Sequence, residues 1–135
     1  RTWEELPQPQ RGPMRLTAEE YALGKARYIA MLRLLCALPG IPCVYYGDEA
    51  GLQGASDPFC RGTFPWGKED AALQSQVRAL LQARRQNPAL QTGTLEVTAV
   101  DADTLRIVRE IRDGRDVFGK PAANERVQIE IRRTI

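Results

Sequence analysis

Residues 38–66 read LPGIPCVYYGDEAGLQGASDPFCRGTFPW, and this stretch decides the fold. It opens on the helix stop Pro39-Gly40 and runs into the apolar segment Ile41-Pro-Cys-Val-Tyr-Tyr46. A short continuous apolar run between turn signals predicts a strand buried on both faces, as in parallel sheets. On such a strand Tyr45 and Tyr46 point to opposite faces. From Gly47 to Gly67 the sequence turns glycine-rich and aperiodic. A loop of about 20 residues inside a compact domain is long enough to expect function in it. Gly47, Gly51 and Gly54 suit tight turns, but they lack the Gly-x-Gly-x-x-Gly spacing that cradles a nucleotide phosphate.

Upstream, Thr17-Ala-Glu-Glu20 places a Thr three residues before a Glu, the capping box that starts a helix. Tyr21, Tyr28, Met31, Leu32, Leu35 and Leu38 then recur at helical spacing until Pro39, so one face of this helix should pack on something large. Before it, residues 1–16 are rich in Pro and Arg, and Pro7, Pro9 and Pro13 predict a loop. Downstream, a second helix is expected from Asp70 to Gln86, with Leu73, Val77, Leu80, Leu81 and Arg84 on one side and Asn87-Pro88 ending it. Beyond Gly93 the texture changes to strands, Thr94 to Val100, Thr104 to Ile111 and Glu125 to Arg132, with a turn at Asp113-Gly114. A helix feeding a buried strand is an α/β arrangement, and the later strands look like the start of an antiparallel β domain, the boundary falling within residues 87–93.

With 135 residues the chain is long enough for one ordinary domain, at about 100 to 200 residues each. Arg1 is not an initiator Met and Ile135 closes the chain just after a strand-like run, so neither end is expected to be a natural terminus. Composition is that of a globular protein, 43% apolar and 27% charged, and no apolar run approaches the roughly 18 residues of a membrane span. The 19 basic residues are scattered among 17 acidic ones for a net charge of +2, unlike the basic stripe of a nucleic-acid binder. Cys36, Cys43 and Cys60 are odd in number and lack zinc-ligand spacing, and there is no His, so no metal site is expected. They read as reduced thiols in a cytoplasmic protein, with Cys36 and Cys43 as small buried hydrophobes.

The stretch Pro-Gly-Ile-Pro-x-x-Tyr-Tyr-Gly-Asp-Glu from Pro39 to Glu49, followed by Gly51-x-x-Gly54, Asp57-Pro58, Arg61 and Pro65-Trp66, resembles the α-amylase family. The spacing Asp-Pro-x-x-Arg-x-x-x-Pro-Trp is most similar to the branch of neopullulanases, cyclomaltodextrinases and maltogenic amylases. Arg84-Arg-Gln-Asn-Pro-Ala-Leu90 with Thr92-Gly93 resembles that family's exit from its barrel. The likeness extends from about residue 18 to about residue 118. It implies an α/β fold in which residues 1–90 form the C-terminal end of a (β/α)8 barrel, its last strand and flanking helices, and residues 91–135 begin a C-terminal β-sandwich. It also implies a parent enzyme, in some relatives a homodimer, that cleaves α-glucosidic bonds in maltooligosaccharides, cyclodextrins or pullulan without a cofactor. The family's catalytic Asp, Glu and second Asp lie on earlier strands and align with nothing here, and the His-Asp motif that should precede the first helix is absent. No catalytic residue is therefore assigned, and the chain alone is expected to be silent and poorly soluble. The alternative is a non-catalytic amylase-like scaffold or sugar-binding protein.

Asp48 and Glu49 do not make a catalytic pair. A retaining glycosidase needs carboxyls about 5 to 5.5 Å apart across the sugar bond, whereas neighbours on a strand point to opposite faces. Hydrogen bonding that fixes the loop is the expected role for both. By resemblance, Asp57 and Arg61 line the substrate cleft and bind glucose hydroxyls. A carboxylate accepting from two hydroxyls beside a planar guanidinium donor suits that task, and a salt bridge bracing the loop is the structural alternative. Trp66 and Phe59 could stack on sugar rings, but packing beneath the loop is the expectation. Phe118-Gly-Lys-Pro-Ala-Ala-Asn124 departs from the family pattern as an irregular loop.

Overall fold

A computed structural model describes residues 15–54 and 57–133. The loop expected before Thr17 lies almost wholly outside them. Helix α1 spans Ala18–Ala37 and starts on the predicted capping box. Thr17 Oγ1 accepts from the Glu20 amide at 3.2 Å, and Glu20 Oε2 accepts from the Thr17 amide at 2.8 Å. Leu38, before Pro39, leaves the helix with extended backbone.

Helix α1 buries more than one stripe. Leu32 and Cys36 pack with Leu73 and Val77, and Tyr28, Ile29, Val44 and Leu80 close around them. Ala37 packs on another side, with Ile107 and Ile131, flanked by Leu34 and Ile129. Met31 and Leu35, expected on the buried face, remain open to solvent. The helix is thus the shared wall between a helix pair and a sheet.

Helix α2, Ala71–Gln86, has Asp70 as its N-cap, with the carboxylate accepting from the Leu73 amide at 2.9 Å. Asn87 ends it in extended conformation, as a residue before Pro must. Pro88 then opens a helix that the sequence did not announce, α3, Pro88–Thr92, where Pro at the first position costs no hydrogen bond. The Glu125 carboxylate accepts from the Ala89 amide at 2.7 Å and ties α3 to the sheet. Gly93 follows because a Cβ there would sit 2.5 Å from the Ala89 carbonyl and 2.9 Å from that of Glu110.

The sheet is antiparallel, in the order β1 (Thr94–Ala99), β2 (Thr104–Ile111), β3 (Glu125–Arg132). Thr94 pairs with Glu110, and Ile107 with Ile129. β2 and β3 have the expected bounds, β1 ends at Ala99 rather than Val100, and the Asp113-Gly114 turn has φ of 56° and 67°. One phase of β2 carries Ile107, Arg109 and Ile111, all buried against the helices. The other carries Arg106, paired to Glu130 at 2.8 Å, and Glu110, with Val108 buried between them. Burial of each Ile contributes about 2 kcal/mol. The irregular 118–124 loop is ordered by Asp116, whose Oδ1 accepts from the amides of Phe118 and Lys120, each at 2.9 Å.

The segment 41–46 differs from expectation. Among the described residues it joins no ladder, and Ile41 is 94% exposed. A strand requires a neighbour to satisfy its amides and carbonyls, and no described segment lies alongside to pair. For the same reason Cys43 is exposed, whereas Cys36 is buried as expected. Tyr45 and Tyr46 do not alternate cleanly: their rings are in contact, with centroids 4.9 Å apart and tilted by 38°. The only sheet formed by the described residues is the antiparallel one.

Candidate functional site

The loop that follows 41–46 is built in two parts. Its base turns on Gly47 and Gly51, both left-handed, at φ 93° and 74°. Between them Asp48–Ala50 form a single 3-10 turn rather than a continued strand. Glu49 Oε2 accepts from the Gly47 amide at 2.8 Å, the loop-fixing role expected of it. Desolvation, and then the charge of Glu49, push the Asp48 carboxyl above its usual range even though the side chain meets solvent. The Tyr28 hydroxyl on α1 is raised to about 12, first by burial and then by the charges of Asp48 and Glu49. It is buried without a hydrogen-bond partner among the described residues.

A polar knot locks this base to both helices. The Asp70 amide donates to the Ala50 carbonyl at 2.9 Å. The Asp70 carboxylate receives Lys25 Nζ at 2.7 Å and the Tyr21 hydroxyl at 3.1 Å, both from α1. These contacts, with the Leu73 amide, hold the Asp70 carboxyl at about 2, the Lys25 hydrogen bond contributing most. Gly51 packs into the knot, and a Cβ on it would lie 2.1 Å from the Tyr21 hydroxyl oxygen. Gly51→Ala combines that clash with a left-handed φ and is expected to cost about 2 kcal/mol. The urea midpoint of the whole protein that contains this chain measures it, and an unchanged midpoint would show that the knot yields freely.

The distal part carries the two residues singled out from the sequence. Asp57 and Arg61 flank the 3-10 turn Phe59–Arg61. Arg61 Nε meets Asp57 Oδ1 at 2.7 Å, with 69% and 64% of the side chains exposed. An ion pair this open contributes little to stability. Cys60 Sγ lies 3.9 Å from the same carboxylate oxygen. The Tyr46 hydroxyl donates to the Gly62 carbonyl at 3.0 Å and fastens the loop back onto segment 41–46. Phe59 is half-buried. Trp66 does not pack beneath the loop: it is 80% exposed, with its ring centroid 4.5 Å from that of Phe64. The apolar surface that would cover it is not supplied by the described residues.

Two buried cations escaped the sequence analysis as site-forming groups. Arg84 in α2 and Arg109 in β2 are 6% and 1% exposed. Both hydrogen-bond to main-chain carbonyls around the end of α1. Their signal was a basic residue in an apolar phase, Arg84 beside Leu73, Val77 and Leu80, and Arg109 between Ile107 and Ile111. Among the described residues no group of three His, Cys, Asp or Glu could hold a metal ion, and no helix is long and apolar enough to cross a membrane.

Known proteins resemble this chain in sequence and in fold. The amylopullulanase of Thermoanaerobacter thermohydrosulfuricus is 41% identical over 103 residues, 76% of this chain and 7% of that protein. The cyclomaltodextrinase of Geobacillus thermopakistaniensis is 34% identical over 114 residues, 82% of this chain and 18% of that protein. This chain is homologous to a segment of the α-amylase-family glucan hydrolases. Among solved structures, the cyclic α-maltosyl-(1→6)-maltose hydrolase of Arthrobacter globiformis, in complex with that cyclic sugar, is 42% identical with a TM-score of 0.58. The match covers 60% of this chain and 19% of the hydrolase. The maltogenic amylase of S. marinus is 33% identical over 64% of this chain and 13% of its own, at a TM-score of 0.60. No protein-family model matches the chain. The α-amylase-family homology thus spans less than a fifth of either enzyme named from sequence.

Proposed function

We propose that the protein to which this chain belongs hydrolyses α-glucosidic bonds in maltooligosaccharides, cyclodextrins or pullulan, and that this chain supplies one wall of its substrate cleft. In this reading residues 1–90 are the C-terminal end of a (β/α)8 barrel and residues 91–135 the start of a β-sandwich. Segment 41–46 is the barrel's last strand, which finds its partners in strands outside the chain. The unpaired, apolar segment with Ile41 almost fully exposed supports this, as does the change from a helix pair to an antiparallel sheet at Gly93. The bond-breaking carboxylates stand on other strands of the barrel, since Glu49 is spent on its own loop.

The single observation that carries the binding role is the open Asp57–Arg61 pair, held on a braced loop at the end of that segment. In the cleft Asp57 accepts from two glucose hydroxyls, while Arg61 both orients the carboxylate and donates to the sugar. Trp66, exposed on the same loop, offers a ring face. The free thiols of Cys36, Cys43 and Cys60 support a reducing, cytoplasmic setting, and a homodimeric parent is in keeping with the branch resembled.

The test is kinetic. The whole reading frame that contains this chain is expressed and assayed on a cyclodextrin and on pullulan. Asp57→Ala and Arg61→Ala should each lower kcat/KM at least about tenfold, the worth of one charged hydrogen bond. Wild-type kinetics in both variants would remove the pair from the cleft. No hydrolysis by the whole protein would leave a non-catalytic amylase-like protein instead.

A further inference from the structure

We infer that Arg84 is a positioning residue for the cleft loop, acting from behind it through the main chain; the inference rests on the sugar-binding reading of Asp57 and Arg61. Segment 41–46 carries the loop, yet it has no ladder of its own among the described residues. Strands outside the chain would pair with residues 41–46 but would not reach back to the turn Leu38–Gly40 before them, so the exit from α1 needs a hold of its own. Arg84 Nη1 donates to the carbonyls of Cys36 at 2.6 Å and Leu38 at 3.0 Å, and Nη2 donates to that of Gly40. One planar guanidinium therefore grips the last turn of α1, the turn after it, and the residue that launches the segment. Gly40 has φ 97°, a conformation the local chain does not hold strongly without such a contact. Helix α2 consequently grips the loop-bearing stretch at both ends, by Asp70 at its first turn and Arg84 at its last. Orphan carbonyls at a helix C-terminus carry partial negative charge and suit a cation. The fork supplies several directed donors at once, which the single ammonium of a Lys cannot reproduce.

Hydrogen exchange at the loop amides, followed in the whole protein, tests the inference without any sugar. In Arg84→Lys and Arg84→Met the amides of Ala50, Leu52 and Arg61 should exchange at least about tenfold faster. Those of β2 and β3 should keep their protection, with Lys the milder change. Unchanged exchange at Leu52 and Arg61, or equal loosening of the sheet in both variants, overturns the inference, because Arg84 is then only a cap or only a general stabiliser. In the whole enzyme Arg84→Lys should raise KM severalfold, and its effect should shrink in an Asp57→Ala background, where there is less for a placed loop to do. A KM unmoved by Arg84→Lys but raised by Asp57→Ala overturns the positioning role and leaves the sugar-binding loop standing. A KM unmoved by both removes the loop from the cleft and the inference with it.

Discussion

Arg109→Met is expected to lose about 3 to 5 kcal/mol of stability, the largest effect of any single substitution considered. Nε of Arg109 donates to the Thr94 carbonyl at 2.9 Å, Nη2 to that of Gly93 at 3.0 Å, and Nη1 to those of Ala37 at 2.7 Å and Leu90 at 2.9 Å. These oxygens belong to the ends of α1 and α3 and to the start of β1, so one side chain joins three elements to β2. Methionine matches the stem in bulk but leaves four inward-facing carbonyls without a donor. Each unmet group costs about 1 kcal/mol or more. Burial, and then the charge of Arg84, lower the Arg109 pKa from its usual value, but guanidinium keeps its proton at any pH of interest. A urea titration followed by circular dichroism is the measurement. A loss below about 1 kcal/mol would mean that water replaces the guanidinium easily.

The second large effect is a pH dependence. The Asp70 carboxyl titrates at about 2 in the folded chain against an ordinary 3.8. Its folded pKa is depressed, so its stabilisation is fully present above pH 4 and is lost as pH falls from about 4 towards 2. Asp70→Asn should therefore be less stable than the parent by about 1 to 2 kcal/mol at pH 7, a figure reduced because Lys25 is a third exposed. Most of the gap between the two should be gone by pH 2, where the folded carboxyl is half protonated. Glu110 and Asp101 are also held below their usual range, by Arg112 and by the Asp103 amide respectively, and they slope the same way. The raised Asp48 opposes them. Only the difference between variant and parent isolates Asp70, and a gap that is constant from pH 7 to 2 would assign its stabilisation to neutral hydrogen bonds.

Features written in local chemistry were legible. The Thr17–Glu20 box, the Asn87-Pro88 stop, the Asp113-Gly114 turn and the strand-like runs of β2 and β3 each depend on residues near one another in the chain. The loop was legible as a functional candidate, and Asp57 and Arg61 lie together on it, joined by the ion pair that was the structural alternative. Segment 41–46 forms no strand among the described residues, because an apolar run states that burial is wanted without saying who provides it. Trp66 and Cys43, expected to be buried, are exposed for the same reason. The Asp70 knot was half visible: Asp70 as the start of α2 followed from the helical pattern, but its meeting with Tyr21 and Lys25 depends on how α1 packs, more than forty residues away.

The two arginines carry a different lesson. Every acceptor they bind is a carbonyl of the main chain, supplied by Cys36, Ala37, Leu38, Gly40, Leu90, Gly93 and Thr94. An oxygen that every amino acid possesses places no demand of its own on the side chain attached. At these seven positions only packing and backbone angle restrict the choice, while Arg84 and Arg109 are held to a side chain that donates in several directions at once. The junction is therefore one-sided in its vocabulary: a search for paired changes between positions would pass over it. Its partners become visible only once the chain is folded.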